Sequence, residues 1–330
     1  MMSIPSFNRS RLVLKSLSDR KHDLNLSHIS PLKASNVSNI NKEIYQAAQR
    51  MILAKNKDSS IILMIGAHVL RSGVQNYIID LMKRGYISCL AMNGAGIIHD
   101  FEFAMIGATT ESVAFYIKEG QFGLWKETGF INDIINQAFM EDNRIGLGEA
   151  IGRAITKGDF PHKDISLLAA SYKLKIPVTV HVGIGYDIIH EHPNCNGAAT
   201  GALSYNDFLK FTSVVENLEN GVVMNFGSAV MGPEVFLKAL SMARNVSQQK
   251  GTVINHFTAL VFDLYNLPEK QREGFSPKKP SYYFRPFKTM LVRAVAEGGE
   301  SHYVMGNHKY TIPALWTAIN QKENGKNKNH

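Results

Sequence analysis

The sequence predicts an α/β fold, a mostly parallel sheet of about six strands with helices on both faces, within a single domain over residues 41–321. Three observations predict it. The run from Ile61 to Ile65 is apolar at every position, the pattern of a strand covered on both faces rather than one with a wet side. An amphipathic stripe and then a second β-rich run follow, so two parallel strands are joined by a crossover helix. The same alternation of apolar run, glycine-containing turn and helical stripe then recurs along the chain.

Residues 1–40 are polar and poor in periodic apolar positions, and read as an arm suited to packing on a neighbouring subunit. A helix from Asn41 to Lys55 places Ile44, Ala47, Ala48, Met51 and Ile52 on one face. The first strand runs into Gly66-Ala67-His68. From Gly73, residues Val74, Ile78, Leu81 and Met82 form one stripe, Asp80, Lys83 and Arg84 turn outward, and Gly85 suits the left-handed position that ends a helix. Ile87 to Met92 is the second strand, broken by the turn Asn93-Gly94-Ala95-Gly96.

Thr109-Thr110-Glu111 reads as the capped start of a helix to Glu119, closed by Gly120 to Gly123. Helices follow from Glu127 to Met140, Leu147 to Ile155 and Ser166 to Leu174. Pro177 to Val182 is a third strand, ending in Gly183 to Asp187 and a polar stretch, His190 to Cys195. A helix from Tyr205 to Leu218 leads to a strand from Gly221 to Phe226. That strand ends in the turn Gly227 to Gly232, and Pro233 fits the first turn of the next helix. Strands at Thr252 to Phe257 and near His302 to Met305, a helix from Ile312 to Asn320 and a disordered basic tail over 322–330 complete the chain. The one linker-like stretch is the basic, proline-rich run Lys270 to Pro286.

With 330 residues, 45% of them apolar, the chain has ample material for a buried core. No uncharged apolar run approaches the roughly 20 residues that span a bilayer, and the first residues lack the apolar segment of a secretory signal. Two cysteines, Cys89 and Cys195, fit a reducing cytoplasm. The formal charge of +8 is scattered and partly held in the ends, which argues against nucleic acid and leaves a field favourable to small anions.

Ligands of parallel sheets bind beyond the carboxyl ends of the strands. Three such ends carry glycines, at Asn93 to Gly96, Gly183 to Asp187 and Gly227 to Gly232, which together point to a nucleotide or dinucleotide although none is a complete G-x-G-x-x-G. His68, His99, Asp100, Glu102, His181, Asp187, His190, Glu191 and His192 fall at or just after the same ends. His190 and His192, with Asp187 or Cys195, have the chemistry of zinc or iron ligands, but their spacing matches no ligand motif and no metal is assigned. Phe226-Gly-Ser-Ala-Val230 is not a G-x-S-x-G elbow, so Ser228 is no nucleophile by motif.

The run from Ser72-Gly73 through Gly96 to Asp100 resembles the deoxyhypusine synthase family, which carries a Ser-Gly turn, helix, strand and Gly-rich turn followed by acids. Ser166 to His192 and Gly227 to Val230 are similar to further family segments in the same order. The resemblance implies a Rossmann-like domain that binds NAD and assembles as a homotetramer. In that family NAD takes a hydride from spermidine and a butylamine group passes through an enzyme lysine to a protein lysine; for this chain the expectation is hydride abstraction from an amine or alcohol carbon of a small-molecule substrate, with or without group transfer. Carried over, Ala67, His68, Ser72, Gly73, Asn93, Gly94, Ala95, Gly96, Gly227 and Ser228 would lie against the cofactor. His192 would match the family's active-site histidine; His192 or His99 would be the general base, with Asp187 or Glu102 orienting it or binding the substrate's polar group. Two departures point away from spermidine: His99 stands where the family places an acid, and the Trp-Gly-Lys segment is replaced by Val304-Met-Gly-Asn-His-Lys309. True deoxyhypusine synthase activity, a non-catalytic nucleotide-binding regulator and a metal-assisted hydrolase are the alternatives.

Overall fold

The computed structural model describes residues 6–36, 40–267 and 283–326. Its strands are β1 (Leu24–Asn25), β2 (Ile61–Ile65), β3 (Cys89–Asn93), β4 (Ala108–Thr109), β5 (Val178–His181), β6 (Val222–Phe226), β7 (Thr258–Asp263) and β8 (Glu300–Met305). The α-helices are α1 (Lys42–Asn56), α2 (Ala67–Arg71), α3 (Gln75–Lys83), α4 (Gly94–Ile106), α5 (Val113–Tyr116) and α6 (Phe130–Glu141). They continue with α7 (Leu147–Lys157), α8 (Leu167–Leu174), α9 (Gly197–Glu216), α10 (Met231–Gln249) and α11 (His308–Lys326).

Six strands form one sheet in the order β5-β3-β2-β6-β7-β8, parallel throughout. Counted along the chain, that order is third, second, first, fourth, fifth, sixth, the doubly wound arrangement of a Rossmann-like fold. Side-chain alternation explains why β2 had to be apolar throughout. Ile61, Leu63 and Ile65 pack with residues of α1, α3, α4, α7, α8 and α11, whereas Ile62 and Met64 pack on the other face with α9, α10 and the π-helical segment Pro286–Arg293.

Several expectations need correction. The strand expected at Thr252 to Phe257 lies one segment later, at β7. The amides of Asn255 and His256 are taken by the Glu219 carboxylate at 2.7 and 3.0 Å, and that of Thr252 by Ser247 O. The run Ala259–Phe262, buried throughout, is the one that suits an inner strand. Asn93 to Gly96 is not a turn but the cap and first turn of α4, a helix missed because it is apolar almost all round and so shows no stripe. The helix expected from Thr109 shrinks to the single turn α5 capped by Ser112, because Thr109 is drawn into β4 against β1. Lys322 to Lys326 are helix rather than tail, with Glu323 Oε1 accepting from Tyr86 Oη at 2.5 Å and Lys322 Nζ donating to Gln49 at 3.0 Å. Residues 327–330 and most of the linker-like run Lys270 to Pro286 lie outside the described residues.

The arm lies on its own chain. Leu17 is buried with Tyr116 and Trp125, the Lys33 amide donates to Tyr77 Oη at 3.0 Å, and Arg20 reaches Glu102 of α4. This last contact brings the arm into the site.

Candidate functional site

α4 starts where β3 ends. Asn93 caps it by accepting the Gly96 N–H at 3.1 Å, and the buried Asp187, from the loop after β5, lays its carboxylate across the same first turn, accepting from Ala95 N–H. A Cβ on Gly94 would come within 2.0 Å of Asp187 Oδ2, so only glycine allows that approach. Burial pushes the Asp187 carboxyl up to about 6, against the pull of the Ala95 amide. The loop is pinned by His190, whose Nδ1 accepts from the Gly185 and Asp187 amides at 3.2 Å each.

One turn into α4, His99 and Glu102 share a network. Arg20 donates Nη1 and Nη2 to Glu102 Oε1 and Oε2 at 2.9 and 2.7 Å, with both side chains buried. Thr128 Oγ1 donates to Oε1 at 2.7 Å and Thr109 Oγ1 to Oε2 at 2.6 Å. Burial alone would raise the Glu102 carboxyl, but Arg20 and the two hydroxyls outweigh it and hold it below its ordinary value. All its lone pairs are thereby engaged, so Glu102 orients its neighbours and has no capacity left to take a proton.

The Thr109 hydroxyl has a single proton and gives it to Glu102, so its oxygen accepts from His99 Nδ1, 2.8 Å away. That fixes the His99 tautomer with the proton on Nδ1. Nε2 keeps its lone pair, and no hydrogen bond among the described residues reaches it. Burial pulls the imidazole down to about 4, more than nearby Glu102 raises it, so His99 is neutral at pH 7.

His99, Ala95 and Asp187 line a cavity of about 260 Å³ together with Tyr186, Phe122, Arg71 and Glu111. Glu111 accepts from Gly123 N–H at 3.1 Å and Trp125 Nε1 at 2.9 Å, and burial raises its carboxyl despite both. A second cavity, about 280 Å³, opens at the amino end of β5 beside Pro177, where Lys210 and Glu149 pair at 2.6 Å. No sequence-predicted residue lines that one.

The sheet's switch point lies between β2 and β6. Gly66 N–H donates to Phe226 O at 2.9 Å, and a Cβ on Gly66 would sit 2.4 Å from Gly227 O, so the two chain turns touch. Ser228 Oγ accepts from Gly232 N–H at 2.8 Å at the start of α10, whose cap position, Val230, supplies no side-chain acceptor. The amides of Ala67, His68, Ala229, Val230 and Met231 have no acceptor among the described residues.

The remaining sequence candidates lie elsewhere. Gly73 faces the arm, where a Cβ would meet His28 O at 1.9 Å, and Ser72 Oγ closes α2 on His68 O at 2.7 Å. His192 is fully buried. Its Nε2 donates to Gly123 O at 2.8 Å, its Nδ1 is unpartnered toward Gly129, and it does not line the cavity. His190 and His192 are thus directed to different backbone groups, and among the described residues no three His, Cys, Asp or Glu side chains are grouped as metal ligands. Sequence reasoning missed Arg20, Arg71 and Thr109 as site residues. Arg71, one helical turn after Ala67, was the only one with a usable signal.

No family model and no curated protein matches the chain. Solved structures do. The ternary complex of AgrE with ornithine and NAD+ superposes with a TM-score of 0.51 at 12% identity, over 89% of this chain and 35% of that one. A LOR/SDH protein from Methanococcus maripaludis S2 gives 0.52 at 14% identity, over 89% and 73%. This chain therefore spans about a third of the length of AgrE. A protein assigned to deoxyhypusine synthase from Entamoeba histolytica gives only 0.40 at 10% identity, over 88% and 96%, too low to bear on the sequence resemblance. At these identities the likeness establishes the fold. Among the described residues no helix is long and apolar enough to cross a membrane.

Proposed function

We propose that this chain is an NAD-dependent enzyme that abstracts hydride from an amine or alcohol carbon, related to deoxyhypusine synthases but acting on a different substrate. The observation that carries the reading is the Glu102–Thr109–His99 relay, which presents an unprotonated imidazole nitrogen to a cavity at the carboxyl rim of a Rossmann-ordered sheet.

The residues present fit the cofactor at the switch point. The touching turns at Gly66 and Gly227 and the unpartnered amides of Ala67, His68, Ala229, Val230 and Met231 offer N–H donors to phosphate oxygens, and α10 adds its positive end. The start of α4 at Asn93 to Gly96 fits less well as a phosphate cradle, because the Asp187 carboxylate already takes that position. AgrE, of the same fold, was crystallised with NAD+.

When bound, NAD supplies the hydride acceptor. The chain's own residues do the rest. His99 Nε2 takes the proton from the substrate's nitrogen or oxygen, and the imidazolium so formed is stabilised through Thr109 by Glu102, which Arg20 keeps ionised. His192, seated under the Gly120 to Gly123 turn, positions Phe122 at the cavity. Lys309 is exposed on the first turn of α11 and does not line the cavity, which supports a reaction without the family's lysine intermediate.

Calorimetric titration with NAD, followed by a fluorescence screen for NADH with amines, amino acids and alcohols, tests the proposal. Binding of NAD and turnover of one such class are expected, with His99→Asn lowering kcat by about 100-fold or more while NAD affinity stays unchanged. No measurable NAD affinity would sink the reading.

A further inference from the structure

The charges that line the cavity are unequally paired. Arg20 is consumed by Glu102, but Arg71, on the last turn of α2, meets no carboxylate among the described residues and stands exposed at the cavity wall. Asp187 and Glu111 show the converse. Their hydrogen bonds come from Ala95 N–H, Gly123 N–H and Trp125 Nε1, all neutral donors; among the described residues no lysine or arginine forms an ion pair with either, although Glu111 also feels the charge of Arg20. One cavity thus holds a guanidinium, Arg71, with no carboxylate partner among the described residues and a carboxylate, Asp187, with no cation partner, while Glu111 shares the charge of Arg20 with Glu102. Two single-sign explanations fail on this pattern. A polyamine would meet Arg71 as a like charge, and a dicarboxylate would meet Asp187 and Glu111.

We infer that the cavity binds a small amino acid as its zwitterion, with the substrate carboxylate on Arg71 and its α-amino group held by Asp187. A planar guanidinium takes a carboxylate through two parallel N–H donors, which fixes orientation as well as affinity. A cavity of about 260 Å³ admits a ligand of that size and not a dinucleotide, which leaves the cofactor to the switch point. The assignment rests on the cavity being the substrate site of the proposed function, but not on NAD being the cofactor.

The test is calorimetric binding to the full chain without NAD, using three probes: L-ornithine, putrescine, which lacks its carboxylate, and 5-aminopentanoate, which lacks its α-amino group. L-Ornithine is expected to bind at least about tenfold more tightly than either. Arg71→Met should bring ornithine down to the level of putrescine and leave putrescine unchanged, with Arg71→Lys restoring part of the difference. Asp187→Asn should weaken ornithine and putrescine alike. Putrescine binding the wild type as tightly as ornithine, an ornithine preference that survives Arg71→Met, or no binding of any probe would overturn the inference. Retained ornithine binding in a protein with no NAD affinity would overturn the proposed function and leave this inference standing.

Discussion

Two helices begin on the same rim of the sheet, each after a glycine-bearing strand end, and their first turns meet opposite fates. α4 is closed: Asn93 caps it and the Asp187 carboxylate lies across Gly94 and Ala95. α10 is more open: its cap residue Val230 supplies no acceptor, Ser228 Oγ takes only the Gly232 amide, and the exposed residues Ala229 and Val230 lie ahead of it. The difference teaches that a glycine turn before a helix marks a potential anion site and nothing more. Whether it is free depends on what a distant segment places there. At α4 the loop after β5 supplies the anion from within the chain, and the space beside it is the cavity lined by His99, Ala95 and Asp187. At α10 no acidic side chain among the described residues does, and the amides of Ala229, Val230 and Met231 are left without an acceptor there.

The sharpest way to break the closed side is through the arm that holds it. Arg20→Ala leaves Glu102 buried without its cation, and we expect a loss of about 3–5 kcal/mol in denaturant unfolding, with Arg20→Lys recovering part of it. An unchanged midpoint would show that the arm is not part of the closed site.

Asp187 gives a pH signature of intermediate size. Its carboxyl is raised to about 6 in the folded chain, against about 3.9 in an unfolded one, so the native state holds this proton more tightly. Its contribution is fully favourable below about pH 4, is lost as the pH rises from about 4 to about 6, and is flat above. Asp187→Asn should remove this decline, on the order of 3 kcal/mol, from the stability profile. Asp100 and Asp207, raised to about 6 and about 7, titrate nearby in both proteins, so the difference between the two profiles is the quantity to read. Superimposable profiles would mean that Asp187 is not held as described.

The smallest effect converts the open helix into a closed one. Val230→Asp supplies α10 with a cap acceptor and a negative charge, and should stabilise the fold by about 1 kcal/mol in thermal unfolding. NAD affinity should fall in the same variant, because the phosphate would then meet a like charge. A stabilised protein with undiminished NAD binding would move the cofactor away from α10.

Much of the fold was legible in the sequence because it rests on local pattern. The unbroken apolar run of β2, the stripe Val74, Ile78, Leu81 and Met82, and the proline in the first turn of α10 each report a burial or backbone constraint within a few residues. Where the pattern carried no period, as in the nearly all-apolar α4, or where two β-branched runs adjoin, as at Thr252 to Phe257 and β7, sequence reading misplaced the element.

The site divides along the same line. Sequence alone determined that glycines, histidines and acids gather at the carboxyl rim, since strand ends and the residues after them are local features. Which of these residues meet was decided by tertiary structure. It joined Arg20 of the arm to Glu102, turned His192 toward Gly123 and away from the cavity, and set Asp187 on α4 rather than leaving that helix end for a phosphate. The physical reason is that a buried charge must find a partner, and that partner comes from whichever segment the packing brings within hydrogen-bond distance, regardless of its separation in sequence.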